Sequence, residues 1–205
     1  MRSIPFLLIY LLFSCVNAQQ EEKSAVKESP VITEDSTSVV PPEYLANHFD
    51  YPIGKPDGKG YFNAQKFGKN NHLGDDWNGL GGGDSDLGDP IYAIASGYVT
   101  FARDHNPSWG NIIRIVHFLP DSSQVESLYA HCNEILVSKN QWVSAGDKIG
   151  TIGNAHGNYK AHLHLELRDE IGLPVGKGYD SNTEGYIDPT AFIDSHRTTN
   201  YIEFE

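Results

Sequence analysis

The stretch His162-Leu163-His164-Leu165-Glu166-Leu167 alternates polar and apolar residues with a period of two. That alternation is the signature of a β-strand with one face against a core. Leu163, Leu165 and Leu167 then share the core face, and His162, His164 and Glu166 the other. Short apolar runs recur upstream. Ile91 to Ala95 and Tyr98 to Ala102 are separated by a Ser96-Gly97 turn. Ile112 to His117 leads through a turn at Pro120 to Ser123 into a returning run from Val125 to His131. Trp142 to Gly150 reads as two short strands around a tight turn. Thr151-Ile152-Gly153 then leads through a polar loop, residues 154–161, to the His162 strand. Tyr61 to Gln65 fits a short strand or one helical turn, and Ile187 to Ile193 closes the pattern. With 20 Gly, 11 Pro, 11 Tyr and 9 Phe, the chain favours short strands and turns over long helices. The expectation is a mainly β fold, antiparallel sheets in a barrel or sandwich with little helix.

The N-terminal quarter breaks this pattern. Met1 to Ala18 has a basic start at Arg2, an apolar run from Ile4 to Phe13 and a small-residue end at Val16-Asn17-Ala18. It reads as a secretory signal, too short for a stable membrane span. The competing reading is a lipoprotein signal, because Leu12-Phe13-Ser14-Cys15 resembles a lipobox and would leave Cys15 acylated. Residues 19–43 are rich in Glu, Lys, Ser, Thr, Val and Pro and read as a flexible polar linker. Aromatic residues and glycine return from Tyr44, so residues 44–205 form the predicted domain.

Charge and cysteine content narrow the function. The 205 residues carry a formal net charge of -12, which argues against nucleic acid. The scattered lysines and arginines form no polybasic membrane patch, leaving only the lipid at Cys15 as a membrane contact. Cys132 is the only cysteine of the predicted domain, so disulfides do not stabilise it, and it reads as a small buried residue.

The chemistry-bearing residues gather around histidine. His72 and Asp76 stand four apart in Asn71-His72-Leu73-Gly74-Asp75-Asp76-Trp77, and His131 ends the run Leu128-Tyr129-Ala130-His131. Two histidines and one aspartate suit a catalytic Zn2+ with an open fourth position. We assign His72, Asp76 and His164 to that single ion. His131 and His162 then line its open side, one moving a proton and the other hydrogen-bonding a developing oxyanion.

This constellation closely resembles family M23, the lysostaphin-type metallopeptidases, over roughly residues 61–193. The family's His-x-Gly-x-Asp is matched by His72, Gly74 and Asp76, which gives the ligand role to Asp76 rather than Asp75. Its Tyr-x-His is matched by Tyr129 and His131, and its His-x-His-x-Glu by His162, His164 and Glu166. The resemblance implies a lysostaphin-like barrel-sandwich hybrid, the duplicated hybrid motif. It also implies a zinc endopeptidase acting on peptide stems and cross-links of bacterial peptidoglycan, with His131 and His162 catalytic. Export places such an enzyme in the periplasm, the cell envelope or the medium. Ala161 stands where the family usually has Pro, and Leu165 where it has Phe.

Two other functions compete. One is a non-catalytic peptidoglycan-binding or regulatory module on the same fold, a role that lost ligands would mark. The other is a related zinc DD-carboxypeptidase, which needs a longer His-to-Asp spacing. Glu166 could orient a ligand from behind or simply face solvent. His117 reads as a packed, hydrogen-bonded histidine, and His105, His156 and His196 as surface residues. Trp77 and Trp109 fit either the cleft or the core. Asp84, Asp86 and Asp89 lie in a glycine-rich loop without calcium-loop spacing, expected to be solvated.

Overall fold

The computed structural model describes residues 40–197. The signal at 1–18, Cys15 and linker residues 19–39 lie outside the described residues. Leu45 is the first residue to bridge to the body, opposite Phe118.

Ten strands follow in chain order: β1 (Tyr61–Gln65), β2 (Asp75–Gly79), β3 (Pro90–Tyr92), β4 (Gly97–Asn106), β5 (Gly110–Phe118), β6 (Gln124–Cys132), β7 (Trp142–Val143), β8 (Lys148–Thr151), β9 (Leu163–Arg168) and β10 (Tyr186–Ile187). One helix, α1 (Pro189–His196), follows them, started by Asp188, whose carboxylate accepts from the Ala191 amide. The large sheet runs β1-β2-β9-β6-β5-β4-β7, with β10 beside β9, and β3 pairs with β8 in a second small sheet. Every strand pairing is antiparallel. The fold is therefore mainly β with little helix, as the alternation predicts. Its large sheet ends at β1 and β7 rather than closing into a barrel.

The main core lies between the sheets. Leu163, Leu165 and Leu167 point into it beside Ile113, Ile115, Tyr129, Ile149 and Ile152. Burying side chains of this size contributes about 1.5–3 kcal/mol each. The opposite face of β5, β6 and β9 is covered too. There Trp109, Ile112, Leu128 and Ala130 form a second apolar cluster, with Val175 packed on it. Val175 belongs to the loop between β9 and β10, residues 169–185, which lies over this face as a strap. Tyr61 to Gln65 resolves as a strand, and the turns at Ser96-Gly97 and within Trp142 to Gly150 fall where expected. None of the helices among the described residues is long and apolar enough to cross a membrane.

The glycine-rich loop differs from expectation at one residue. Asp86 is buried and accepts the Gly79 amide at 2.8 Å. Asp84 accepts from the Ala161 amide at 2.8 Å, and Asp89 accepts the Tyr61 hydroxyl. The three carboxylates hold separate pieces of backbone and side chain instead of converging on an ion.

Candidate active site

Three residues distant in the chain meet through strand register. In β2 and β9, Asp76 stands directly opposite His164. On the other side of β9, Ala130 of β6 also stands opposite His164, which brings the end of β6 to the same place. His72 precedes β2, where its amide donates to Lys69 and its carbonyl accepts from Gly68. Gly74 lets the chain between His72 and Asp76 cross β9 closely. A Cβ there would lie 2.4 Å from the Leu165 carbonyl oxygen.

The result is a triangle of donor atoms. His164 Nδ1 lies 2.9 Å from Asp76 Oδ1 and 3.1 Å from His72 Nε2. His72 Nε2 lies 3.3 Å from Asp76 Oδ1. Ligand atoms around a tetrahedral ion with bonds of about 2.0–2.1 Å stand ~3.3 Å apart. The observed edges fit that geometry with a modest expansion, and all three groups suit a divalent metal of borderline softness. Among the described residues, this is the one group of His, Cys, Asp and Glu side chains able to surround an ion.

His164 is braced from behind. Its Nε2 lies 3.2 Å from Glu166 Oε1, and Glu166 Oε2 accepts from Arg168 Nε at 3.0 Å. Arg168 also faces Glu126 at 3.5 Å, and Glu126 accepts from Arg114 at 2.8 Å. The polar face of β9 is thus a buried ladder of alternating charge, with Glu166 and Arg168 fully covered. Glu166 is therefore buried beside His164 rather than facing solvent. Burial works against its charge, but His164 and Arg168 hold its carboxyl below the usual range. Burial likewise opposes the charge on Asp76, yet hydrogen bonds from His164 and His72 hold it far lower. Burial would lower His164 as well. The Asp76 and Glu166 carboxylates outweigh it and raise the imidazole to about 9. Two acids thus make His164 a site built for positive charge. His72 Nδ1 is buried without a protein partner among the described residues, so the bracing is one-sided.

The other two histidines face the same point. His131 and His162 have ring centroids 4.8 Å apart, and His131 lies 5.7 Å from His164. His131 Nδ1 lies 3.1 Å from the Trp109 carbonyl, and His162 Nδ1 lies 2.8 Å from the Lys160 carbonyl. A carbonyl only accepts, so each Nδ1 carries its proton and each Nε2 is left for chemistry. His162 Nε2 lies 3.8 Å from Asp76 Oδ1. Burial, with the nearby imidazoles, pushes His131 down to about 3, so it is neutral near pH 7.

His131 reaches this position through unusual backbone. Its φ is 61°, in the left-handed region that non-glycine residues rarely occupy. The β5–β6 register shifts at the same point, as at a bulge that re-aims a side chain. Gly153 ties the two histidines together. Its carbonyl accepts from the His162 amide at 3.1 Å, and a Cβ on it would lie 2.2 Å from the His131 carbonyl oxygen.

A cleft of about 180 Å³ opens beside the triangle, walled by Trp109, Tyr159, Lys177 and Tyr179. Tyr159 packs against His131 with ring centroids 5.0 Å apart, and Tyr179 against His72 at the same separation. The structure therefore brings together all six residues singled out in the sequence: His72, Asp76, His131, His162, His164 and Glu166. Trp109 belongs to the cleft, whereas Trp77 is buried against Tyr51 in the core. Tyr159, Lys177 and Tyr179 carry no signal in the sequence beyond lying in loops near the motifs. His156 is exposed and bonds Asp104 outside the cleft. His117 is buried between the Ser96 carbonyl and the Ser127 hydroxyl. Cys132 is buried, which pushes its thiol up to about 12 and leaves it inert.

Comparison with known proteins bears on the family and the fold. The model of peptidase family M23 matches residues 79–180, a stretch holding His131, His162 and His164 but beginning after His72 and Asp76. Lipoprotein NlpD of Yersinia enterocolitica is 37% identical over 81 residues, which are 40% of this chain and 78% of that protein. Peptidoglycan DD-endopeptidase ShyA of Vibrio cholerae is 38% identical over 81 residues, again 40% of this chain but 18% of the relative. The chain thus spans less than a fifth of ShyA's length. The solution structure of lysostaphin shares the fold with a TM-score of 0.53 at 22% identity, covering 73% of this chain and 56% of that one. A chain of the SpoIIIAH–SpoIIQ complex shares it with a TM-score of 0.52 at 17% identity, covering 71% and 99%.

Proposed function

We propose, since this chain belongs to peptidase family M23, that it is a zinc-dependent endopeptidase hydrolysing peptide cross-links in bacterial peptidoglycan. The observation that carries the reading is the complete set: three ligand atoms within 3.3 Å of one another, faced by two further imidazoles with free Nε2 atoms. His72 Nε2, Asp76 Oδ1 and His164 Nδ1 would hold the ion. Zinc held there supplies a Lewis acid that polarises a carbonyl and lowers the pKa of water from near 16 to about 7. Glu166 keeps the His164 ring turned toward the site. His131, neutral through burial, accepts the proton of the attacking water on Nε2 and passes it to the leaving amine. His162, when it carries a proton on Nε2, donates a hydrogen bond to the developing oxyanion. Export through residues 1–18, with or without lipid at Cys15, would put the enzyme where its substrate is. The linker 19–43 would then tether the domain.

A second reading has one specific observation in its favour. Relatives from Salmonella and Escherichia coli are named murein hydrolase activators and are 38% identical over 81 residues. A regulatory module would need no catalytic set, and this chain retains all of it. The experiment is to purify residues 19–205, measure zinc by elemental analysis and assay muropeptide release from sacculi. We expect one zinc per chain and cleavage that His164→Ala abolishes. A chain that binds sacculi tightly, holds no zinc and releases nothing would be the regulator.

A further inference from the structure

Lys177 is the one lysine or arginine that walls the cleft. The other cations nearby are committed: Lys160 to Asp84 at 3.3 Å, and Arg114 and Arg168 to the buried ladder. Lys177 makes no ion pair among the described residues. Its backbone is anchored on both sides to the walls of the site. The Gly176 carbonyl accepts from Trp109 Nε1 at 3.1 Å, and the Gly178 carbonyl from the Leu73 amide at 2.9 Å. Trp109 stacks on His131, and Leu73 follows His72. Further back, the Leu173 carbonyl accepts from both Arg114 and Arg168, at 2.9 and 3.0 Å. The strap thus carries the Lys177 side chain on a backbone hydrogen-bonded to Trp109 and Leu73, the neighbours of His131 and His72. In a chain of net charge -12 the overall field repels anions. Lys177 puts a positive side chain on the cleft wall, where it selects locally for an anion.

We propose that Lys177 is a specificity residue that binds a free carboxylate on the substrate residue next to the scissile bond. The substrate class is then an anionic cross-linked peptide rather than an uncharged glycyl bridge. This rests on the peptidase reading above and adds the sign of the charge that the cleft selects.

The test uses two synthetic cross-linked peptides that differ only in whether that carboxylate is free or amidated. With the zinc-loaded full chain we expect kcat/KM to favour the free acid by about fivefold or more, mostly through KM. The preference should shrink at high salt. Lys177→Met should bring the ratio to about one, Lys177→Arg should restore it and Lys177→Glu should invert it. Titrating both peptides onto the zinc-loaded His131→Ala chain, with and without Lys177→Met, reads the same preference without turnover. Equal handling of both peptides, or a preference that survives Lys177→Met, overturns the proposal while the peptidase reading stands. If neither peptide is cleaved, the peptidase reading falls and the binding ratio alone decides the role of Lys177.

Discussion

His164 and Asp76 face each other across adjacent antiparallel strands, with Nδ1 of one 2.9 Å from Oδ1 of the other. The pairing register of two strands, and no loop, sets this edge of the donor-atom triangle. A site placed by strand register is held rigidly, because a shift of one residue would turn every side chain to the other face. Ligand and proton-transfer residues should consequently separate cleanly under mutation. His72→Ala, Asp76→Ala and His164→Ala are each expected to lose bound zinc and activity together. His131→Ala and His162→Ala are expected to keep about one zinc per chain and lose about 10²–10⁴-fold in kcat. Elemental analysis beside muropeptide release separates the two groups, and zinc loss in His131→Ala would remove it from the proton-transfer role.

Glu166 gives a finer prediction. Its carboxylate accepts from His164 on one oxygen and from Arg168 on the other. Glu166→Gln keeps the shape but weakens the bond that orients His164. Zinc affinity should fall about 10–100-fold, read by competition with a chelator. Stability should fall too, since the buried Arg168 loses an anionic partner. Unchanged affinity would reduce Glu166 to a structural member of the ladder.

The alternation of residues 162–167 makes the strand legible, and the three leucines lie where it puts them. It misjudges the opposite face. A polar face in a sequence looks solvated, yet His164, Glu166 and Arg168 are buried. The covering strap comes from residues 169–185, and their path over the sheet leaves no periodicity to read. The same limit hides Tyr159, Lys177 and Tyr179, which loops bring to the cleft. The His72 to Asp76 spacing is legible as a pair, although four residues apart suggests one helix face. Instead Asp76 is in β2 and His72 precedes it. Glycines carry what the pattern cannot. Gly74 and Gly153 mark places where backbones approach too closely for a Cβ.

His117 should make stability depend on pH. Burial pushes its imidazole down to about 4 from an ordinary 6.5. Between those values the unfolded chain binds a proton that the folded chain refuses. Stability therefore falls as pH drops from about 6.5 to about 4 and does not change through this group above 6.5. The loss amounts to about 3 kcal/mol at the low end. Urea unfolding between pH 4 and 7.5 measures it, and His117→Gln should flatten that slope while lowering stability at pH 7. A slope left intact in the variant would assign the effect to other groups.

Gly153 offers the sharpest test of how His131 and His162 are held. A Cβ at this position would lie 2.2 Å from the His131 carbonyl oxygen, 2.4 Å from the Asn133 amide nitrogen and 2.7 Å from the Cys132 carbonyl carbon. All three are backbone atoms, so no side chain can swing aside to make room. Gly153→Ala must move the end of β6 away from the start of β9. His131 moves with the first, and His162 moves with the second through its amide bond to Gly153. The Asp76–His164 edge is set by the register of β2 with β9, which the added methyl does not touch directly. We expect a loss of about 1–3 kcal/mol in stability and a fall of at least about 100-fold in kcat, since displacements near 1 Å have that effect. Zinc content should remain close to one per chain. A variant that stays folded, keeps zinc and cleaves normally would mean that the spacing of His131 and His162 does not govern turnover.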